Sequence, residues 1–228
     1  MSSKNYLSIY AKSFNWAGFF LPKKTYKNCS YLYDFCRVVD NIADDEGEIE
    51  IKKIKFQKFV SDFKQKNFEN PVIQNMWNII HEFNISLEII YDLFDGIESD
   101  IKQNVKIDTR KDLLIYCYRV AGTVGLMMAK ILKVSKKQSL KSAIDLGIAM
   151  QLTNISRDVI EDSKKNRSYI NGNFEEINST IKLADTFYKN SFYSIREIPL
   201  SFRFSILVAR RIYRKIGYKI LKKKTFEN

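Results

Sequence analysis

The sequence contains little glycine and little proline, with 8 and 3 residues in a chain of 228. An all-β protein needs a turn about every ten residues and uses these residue types to make it. Their scarcity argues against a sandwich or a barrel and predicts an all-α fold. Because 45% of the residues are hydrophobic, the chain can form a full core, which argues against a disordered protein.

Cysteine, histidine and long apolar runs are also scarce. The three cysteines, Cys29, Cys36 and Cys117, form no CxxC pair, which predicts reduced thiols in a cytosolic protein. His81 is the only histidine, so a histidine metal site is excluded. The amino-terminal segment lacks the apolar core of a signal peptide, and no apolar run approaches the ~20 residues of a membrane span. We expect a cytoplasmic protein, peripheral at most to the inner face of the membrane.

Positive charge, in contrast, is abundant. Lys and Arg number 38 against 26 Asp and Glu, which gives a formal net charge of +12. Such an excess favours an anionic partner: nucleic acid, an acidic membrane surface or a phosphorylated substrate. Much of the excess is dispersed lysine, so the charge alone does not choose among these partners.

Hydrophobic periodicity predicts a single domain over residues 1–228, made of eight or nine helices with short connections. Ser86 is a plausible N-cap for one of them. The predicted helices span about 4–19, 23–45, 51–66, 72–83, 86–101, 109–132, 135–162, 179–197 and 199–224.

The segment YLYDFCRVVDNIADDEGE carries an arginine and several carboxylates on a helix that otherwise reads as buried. A helix advances ~100° per residue, so residues four and seven positions apart share a face. Tyr33, Arg37, Asp40 and Asp44 therefore fall within about one sixth of the circumference. A single DxxxD pair of this kind usually marks a solvated face or an ion-pair partner.

A second segment, QLTNISRDVIED, repeats the pattern. The same rotation places Gln151, Asn154, Asp158 and Asp162 on one face, while Arg157 stands apart from it. Two DxxxD pairs, each with donors nearby and each in an apolar helix, favour a functional site over a solvated one.

Four carboxylates on facing buried helices would repel one another unless cations lie between them. Mg²⁺ suits them, because it takes oxygen ligands and commonly binds one or two carboxylates plus substrate phosphates. Arg37 and Arg157 could bind the phosphate oxygens. The metal would favour loss of diphosphate to a carbocation, which an apolar cavity would shield and tyrosines would stabilise.

These segments resemble the squalene and phytoene synthase family, the head-to-head prenyl transferases, most closely the bacterial phytoene synthases. The resemblance runs in order along nearly the whole chain. It is carried by SFNWAGFFLP at 13–22, YDFCRVVDNIAD, YCYRVAGTVG, QLTNISRDVIED, NRSYI and ARRIYRKIG.

The resemblance implies an isoprenoid synthase helical bundle around a central cavity, lacking the family's last C-terminal helix. It implies prenyl diphosphate substrates, a cyclopropyl diphosphate between two reaction steps, and Mg²⁺, for which Mn²⁺ could substitute. The implied metal ligands are Asp40, Asp44, Asp158 and Asp162, and Tyr116 joins them as a catalytic residue. The implied substrate-binding residues are Ser13, Phe14, Tyr33, Arg37, Gln151, Asn154, Arg157, Tyr169 and Tyr213. Without the resemblance, Tyr116 and Tyr213 read as ordinary core tyrosines.

Two small residues bear on the chain length of the substrate, and so on the identity of the product. Gly18 lies four residues beyond Phe14, and Ser30 lies one turn before the face of Tyr33 and Arg37. Because bulky side chains there would shorten a pocket, we expect twenty-carbon substrates and a phytoene synthase that needs no NADPH. A squalene or dehydrosqualene synthase that uses farnesyl diphosphate is the alternative.

Two other classes compete. A non-catalytic relative acting as an assembly factor usually loses the aspartates, and both pairs are intact here. A nucleic-acid binder would rely on the basic terminal helix, yet no nucleic-acid motif accompanies it. We therefore expect no nucleic-acid partner and favour a membrane surface. The sequence makes no prediction of oligomeric state.

Overall fold

The computed structural model describes residues 21–223 and has the predicted all-α class. The predicted helix at 4–19 lies outside the described residues. The α-helices are α1 (Lys23–Asp44), α2 (Ile49–Lys64), α3 (Pro71–Phe83), α4 (Leu87–Glu98), α5 (Arg110–Cys117), α6 (Thr123–Ile131), α7 (Lys137–Arg157), α8 (Val159–Lys164), α9 (Phe174–Phe192) and α10 (Leu200–Lys223). Ser86 caps α4 as predicted, since its hydroxyl accepts from the backbone N–H of Glu88.

Two short strands were not predicted. β1 (Val105–Lys106) and β2 (Arg167–Ser168) pair in parallel, with Val105 opposite Arg167. The backbone N–H of Ile107 donates to the Ser168 carbonyl at 3.0 Å. This bridge fixes the segment after α8 against the segment after α4, and so determines where Arg167 lies.

The predicted helix at 109–132 is divided in three. A π-helical turn (Tyr118–Gly122) separates α5 from α6. A π-turn widens a helix locally and is frequent at functional sites. Contrary to the expectation from the sequence, Arg110–Ile131 is long and apolar enough to match a membrane span, a property that buried helices of globular proteins share.

Glycines let α6 and α7 approach closely. A Cβ on Gly147 would lie 2.3 Å from the carbonyl oxygen of Ala121, and a Cβ on Gly125 would lie 2.3 Å from that of Ala143. Neither carbonyl can move away easily, because each belongs to a helix backbone. Glycine is therefore required on both sides of this crossing.

Two boundaries differ from the prediction. The helix predicted to continue to residue 162 ends at Arg157, and Asp158 (φ −100°, ψ 12°) separates it from α8. The Asp162 N–H still donates to the Asp158 carbonyl at 2.8 Å, so the one-turn spacing of this pair survives. Helix α9 begins at Phe174 rather than 179, because the Asn173 side chain accepts from the Glu176 N–H and caps it.

The hydrophobic core has two parts. Phe35 of α1 contacts Phe63 and Phe94, whose rings lie edge to face, at 5.5 and 6.0 Å between ring centroids. A second cluster packs around α7 and α9. In α2 only some of the large apolar side chains face the core: Phe56, Phe59 and Phe63 are buried, but Ile51 and Ile54 are exposed.

Candidate active site

Asp40 and Asp44, both on α1, each have an arginine partner. Arg37 Nη1 donates to Asp40 Oδ2 at 2.8 Å, within the same helix. Arg167, from β2, donates through Nη1 to Asp44 Oδ1 at 2.6 Å and through Nη2 to the Ala43 carbonyl at 3.0 Å. Burial, and next the charge of Asp44, raise the pKa of Asp40 to about 6, against the opposing effect of Arg37. The two aspartates therefore lie close together in a partly desolvated place.

The second acidic pair lies at the break between α7 and α8. Arg157, which the sequence placed apart from this pair, binds Asp158 through Nε and Nη2, both at 2.7 Å. Burial, and next the charge of Asp158, raise the pKa of Asp162 to about 6. Both pairs thus contain a carboxylate that protonates more readily than usual, because it is partly buried and its neighbour is also negative.

Arg167 connects the two acidic pairs. Its side chain hydrogen-bonds Asp44, and its positive charge lowers the pKa of both Asp40 and Asp162. Arg167 therefore lies within electrostatic range of both acidic pairs. The sequence analysis did not single out Arg167, although it is part of the NRSYI motif.

Two tyrosines also span the gap between the segments. Burial raises the pKa of Tyr213, on α10, with Arg157 and Asp158 acting on it electrostatically. Burial likewise raises the pKa of Tyr33, on α1, and Tyr213 is among the groups that act on it. Tyr213 therefore lies within electrostatic range of both acidic segments.

A buried carboxylate that the sequence analysis missed holds two of the predicted tyrosines. Asp100, 9% exposed, accepts a hydrogen bond from the Tyr116 hydroxyl and another from the Tyr169 hydroxyl, each at 2.7 Å. The two rings stack, with centroids 4.7 Å apart. Burial and the negative charge of Asp100 raise the pKa of Tyr116 well above its usual value, which keeps this hydroxyl protonated. Asp100 follows α4 in a polar run, ESDIKQN, that carries no motif signal.

An apolar cavity of about 1240 Å³, its open mouth included, adjoins Tyr33 and Tyr213. Its lining is almost wholly hydrophobic and includes the π-turn and one side of α6, α7 and α10. The polar residues Tyr33, Gln151, Asn154 and Tyr213 also contribute to its wall. Among residues 21–223, no group donates a hydrogen bond to the buried Oδ1 of Asn154. A polar ligand group in the cavity could satisfy that oxygen.

Of the predicted site residues within 21–223, Tyr33, Gln151, Asn154 and Tyr213 line the cavity, whereas the four aspartates, Arg37, Arg157, Tyr116 and Tyr169 do not. Ser13 and Phe14, together with Gly18, lie outside the described residues. Ser30 is buried but is not among the residues that line the cavity. The pocket argument drawn from Ser30 and Gly18 stays a prediction, because Gly18 lies outside the described residues. Within those residues, α1 faces the cavity with Leu32, Tyr33 and Cys36.

The acidic pairs suit a metal ion whose coordination shell is completed by a bound ligand. Within the described part of the chain, no three side chains of His, Cys, Asp or Glu converge on one point. A closed protein cage for a metal is therefore not formed by these residues. Mg²⁺ usually keeps several waters and binds through one or two carboxylates plus phosphate oxygens. Two carboxylates on each segment are sufficient for ions of that kind.

Comparison with known proteins gives one consistent family. Residues 7–172 match the sequence pattern of the squalene/phytoene synthase family. A phytoene synthase from Pseudescherichia vulneris is 28% identical over 243 residues, covering 92% of this chain and 78% of that protein. A 4,4′-diapophytoene synthase from Staphylococcus haemolyticus is 32% identical over 193 residues, covering 79% of this chain and 67% of that protein.

The fold is similar to that of a solved relative. The crystal structure of a squalene synthase from Alicyclobacillus acidocaldarius superimposes with a TM-score of 0.81 over 96% of this chain and 90% of that one, at 17% identity. At this identity the match shows a common fold and nothing about the substrate. The predicted isoprenoid synthase bundle is confirmed.

Proposed function

Because this chain belongs to the squalene/phytoene synthase family and is a prenyl transferase of that type, we propose that it joins two molecules of geranylgeranyl diphosphate head to head. The product is phytoene, formed through a cyclopropyl diphosphate, and the reaction is the entry step of carotenoid synthesis. The phytoene synthase from Pseudescherichia vulneris supports this choice of substrate.

One observation carries the proposal. Two acidic segments, connected by Arg167, lie beside an apolar cavity whose polar wall residues include Tyr33 and Tyr213. A prenyl diphosphate has the same two parts, a multiply charged head and a long hydrocarbon tail. The charged groups suit the head, and the cavity suits the tail.

The proposal includes Mg²⁺ held by Asp40 and Asp44 on one side and by Asp158 and Asp162 on the other. The ions would neutralise the diphosphate and favour its departure. Arg37 and Arg157 now pair with carboxylates on their own segments, at 2.8 and 2.7 Å, and could exchange those partners for phosphate oxygens.

The remaining side chains have roles that follow from their positions. The apolar wall excludes water, which would otherwise capture the carbocation left by diphosphate departure. The faces of Tyr33 and Tyr213 can stabilise that cation through their ring electrons. The Tyr116 hydroxyl, held protonated by burial and by Asp100, can hydrogen-bond the substrate only if it leaves Asp100.

Farnesyl diphosphate is the second candidate substrate. The relative from Staphylococcus haemolyticus, a 4,4′-diapophytoene synthase, favours it. Under either reading we propose a peripheral contact with a membrane, because the hydrocarbon product partitions into lipid. No NADPH is needed to form phytoene, whereas a squalene synthase would consume it.

The test is a product analysis with the purified full chain. It is incubated with geranylgeranyl or farnesyl diphosphate, with and without Mg²⁺, and with and without NADPH. We expect phytoene from the twenty-carbon substrate, dependence on Mg²⁺ and indifference to NADPH. A C30 product formed at a higher kcat/KM from farnesyl diphosphate would replace the proposal by its alternative.

A further inference from the structure

The last helix, α10, presents an outer face that is apolar at its start and basic along the rest of its length. Its sequence, LSFRFSILVARRIYRKIGYKILKK, contains no acidic residue. At ~100° per residue, the large exposed side chains of the helix fall within roughly one third of its circumference. They are Leu200, Phe204, Arg211, Lys215, Tyr218, Lys219 and Lys222.

The turn between α9 and α10 extends this face with more exposed apolar side chains. Tyr193 is 72% exposed and Leu200 is 78% exposed, while Phe192 and Phe204 are about half exposed. Single exposed apolar residues are ordinary, but a group of four large ones marks an interaction surface. We call these four residues and the basic residues Arg196, Arg211, Lys215, Lys219 and Lys222 the α9–α10 face.

The turn is held in a fixed shape, so these side chains are presented together. Arg203 Nη2 donates to the backbone carbonyls of Arg196 and Ile198, at 2.6 and 3.1 Å. The hydroxyls of Ser142, on α7, and Ser194 lie 2.7 Å apart and fasten the turn to the body of the protein.

Acidic side chains beside the face are neutralised. Glu197 forms ion pairs with Lys136 and with Arg196 of the face itself, the latter at 3.6 Å. Asp185, on α9, accepts from Arg214 Nε at 2.6 Å and forms an ion pair with Lys189 at 3.0 Å. The basic side chains of the α9–α10 face therefore act as a net positive surface toward a partner.

We propose that the α9–α10 face docks on an anionic lipid bilayer. Large apolar side chains surrounded by lysine and arginine are the features of a surface that lies in the bilayer interface, with its apolar residues inserted and its cations among the headgroups. Nucleic acid would use the cations but would leave Leu200 in water. The inference rests on the proposed peripheral location and assigns it to one surface.

The same turn and helix form a wall of the apolar cavity. Ile195, Ile198 and Ile206 line the cavity from the inner side of this segment, while Tyr193 and Leu200 are exposed on its outer side. Docking therefore places the bilayer one layer of protein away from the cavity. A hydrocarbon product would have a short path into lipid from this end.

The test measures binding of the full chain to sedimented vesicles in the absence of substrate, so it is independent of the enzyme's reaction. We expect binding to vesicles of phosphatidylcholine with phosphatidylglycerol and little binding to phosphatidylcholine alone. Leu200→Ser combined with Tyr193→Ser should lower the partition coefficient at least tenfold. Arg211→Gln, Lys215→Gln and Lys219→Gln together should lower it about fivefold per charge.

Matched controls come from surfaces that carry the same residue types elsewhere. Ile54→Ser removes an apolar side chain that is 65% exposed on α2. Lys58→Gln, Lys102→Gln and Lys111→Gln together remove three exposed charges away from α10. Both controls should bind vesicles like the wild type. The proposal would be overturned if the control variants lost as much binding as the test variants, or if the wild type bound uncharged vesicles equally well. It would also be overturned if single-stranded RNA bound the face more tightly and released the protein from the vesicles.

Discussion

Arg167 Nη1 donates to Asp44 Oδ1 at 2.6 Å, although the two residues are 123 positions apart in the chain. The arginine side chain is 11% exposed and the aspartate side chain is 28% exposed. This ion pair fastens the loop after α8 to the end of α1. Arg167 also acts electrostatically on Asp162, so one cation influences both acidic segments.

Replacing Arg167 should affect both activity and stability. Arg167→Gln removes the cation between the acidic segments, and we expect kcat to fall about 100-fold, the usual loss for a group that stabilises charge in the transition state. The free energy of unfolding should fall by about 1–3 kcal/mol, between the values for exposed and buried ion pairs. Steady-state kinetics and urea unfolding measure the two effects. Lys55→Gln, which breaks an exposed pair with Asp45, is the control and should change neither.

Turnover should require the aspartates of the two acidic pairs but not the neighbouring carboxylate of Asp45. Asp40→Asn and Asp158→Asn should each lower kcat by more than about 100-fold, because each removes charge that the proposed ions need. They should also abolish the rise in Tm caused by Mg²⁺ together with inorganic diphosphate. Asp45→Asn is the matched control, since Asp45 is exposed and pairs with Lys55. An unchanged Tm response in Asp40→Asn would count against the metal assignment.

Asp100 should act through the tyrosines that it binds. In Asp100→Asn the amide can accept from one hydroxyl only, so either Tyr116 or Tyr169 must reorient. We expect kcat to fall about tenfold with KM nearly unchanged, because Asp100 does not touch substrate. Asp100→Ala leaves two buried hydroxyls without an acceptor and should lower the free energy of unfolding by about 1–3 kcal/mol for each. A large increase in KM for Asp100→Asn would show that the carboxylate contacts substrate itself.

The parts of the site that depend on one helix could be predicted from the sequence. Arg37, Asp40 and Asp44 share a face because helical spacing is a local property. The same reasoning grouped Asp158 with Asp162 despite a break in the helix that no glycine or proline marks. The start of α9 could have been found earlier, since Asn173 followed by Phe-Glu-Glu is a capping pattern.

The parts that depend on distant pairing could not be predicted in this way. Arg167 reaches Asp44 because β1 pairs with β2, and two-residue strands leave no periodic signal. Asp100 binds Tyr169, which directly follows β2, and Tyr116 of α5 from a polar segment that reads as an ordinary loop. Ser30 illustrates the same limit of helical spacing, since spacing alone does not tell which side of α1 lines the described cavity.

The crossing of α6 and α7 should be intolerant of any side chain. In Gly147→Ala the new methyl group would lie 2.3 Å from the carbonyl oxygen of Ala121 in the π-turn, so α7 must move away from the segment that leads into α6. We expect a loss of about 1–3 kcal/mol in the free energy of unfolding, the usual cost of overpacking. Thermal and urea unfolding measure it. Gly172→Ala is the control, since a methyl group there meets only the end of the Val159 side chain, at 3.2 Å. Equal stability of the two variants would contradict the close approach.

Substrate length should be controlled from the α7 wall of the cavity. Ser139 lies twelve residues, or about 18 Å along the helix, from Gln151, which lines the cavity on the same helix. Ser139→Leu would fill the far end of the cavity, where only the longer tail reaches. We expect the ratio of kcat/KM for geranylgeranyl to farnesyl diphosphate to fall at least tenfold, since the shorter substrate loses no room. Ser30→Leu is a matched control, because both serines are 6% exposed but Ser30 does not line the cavity. The opposite result, a changed ratio for Ser30→Leu and an unchanged ratio for Ser139→Leu, would contradict this assignment. The hydrocarbon tail would then bind against α1 near Ser30, where the sequence first predicted the pocket.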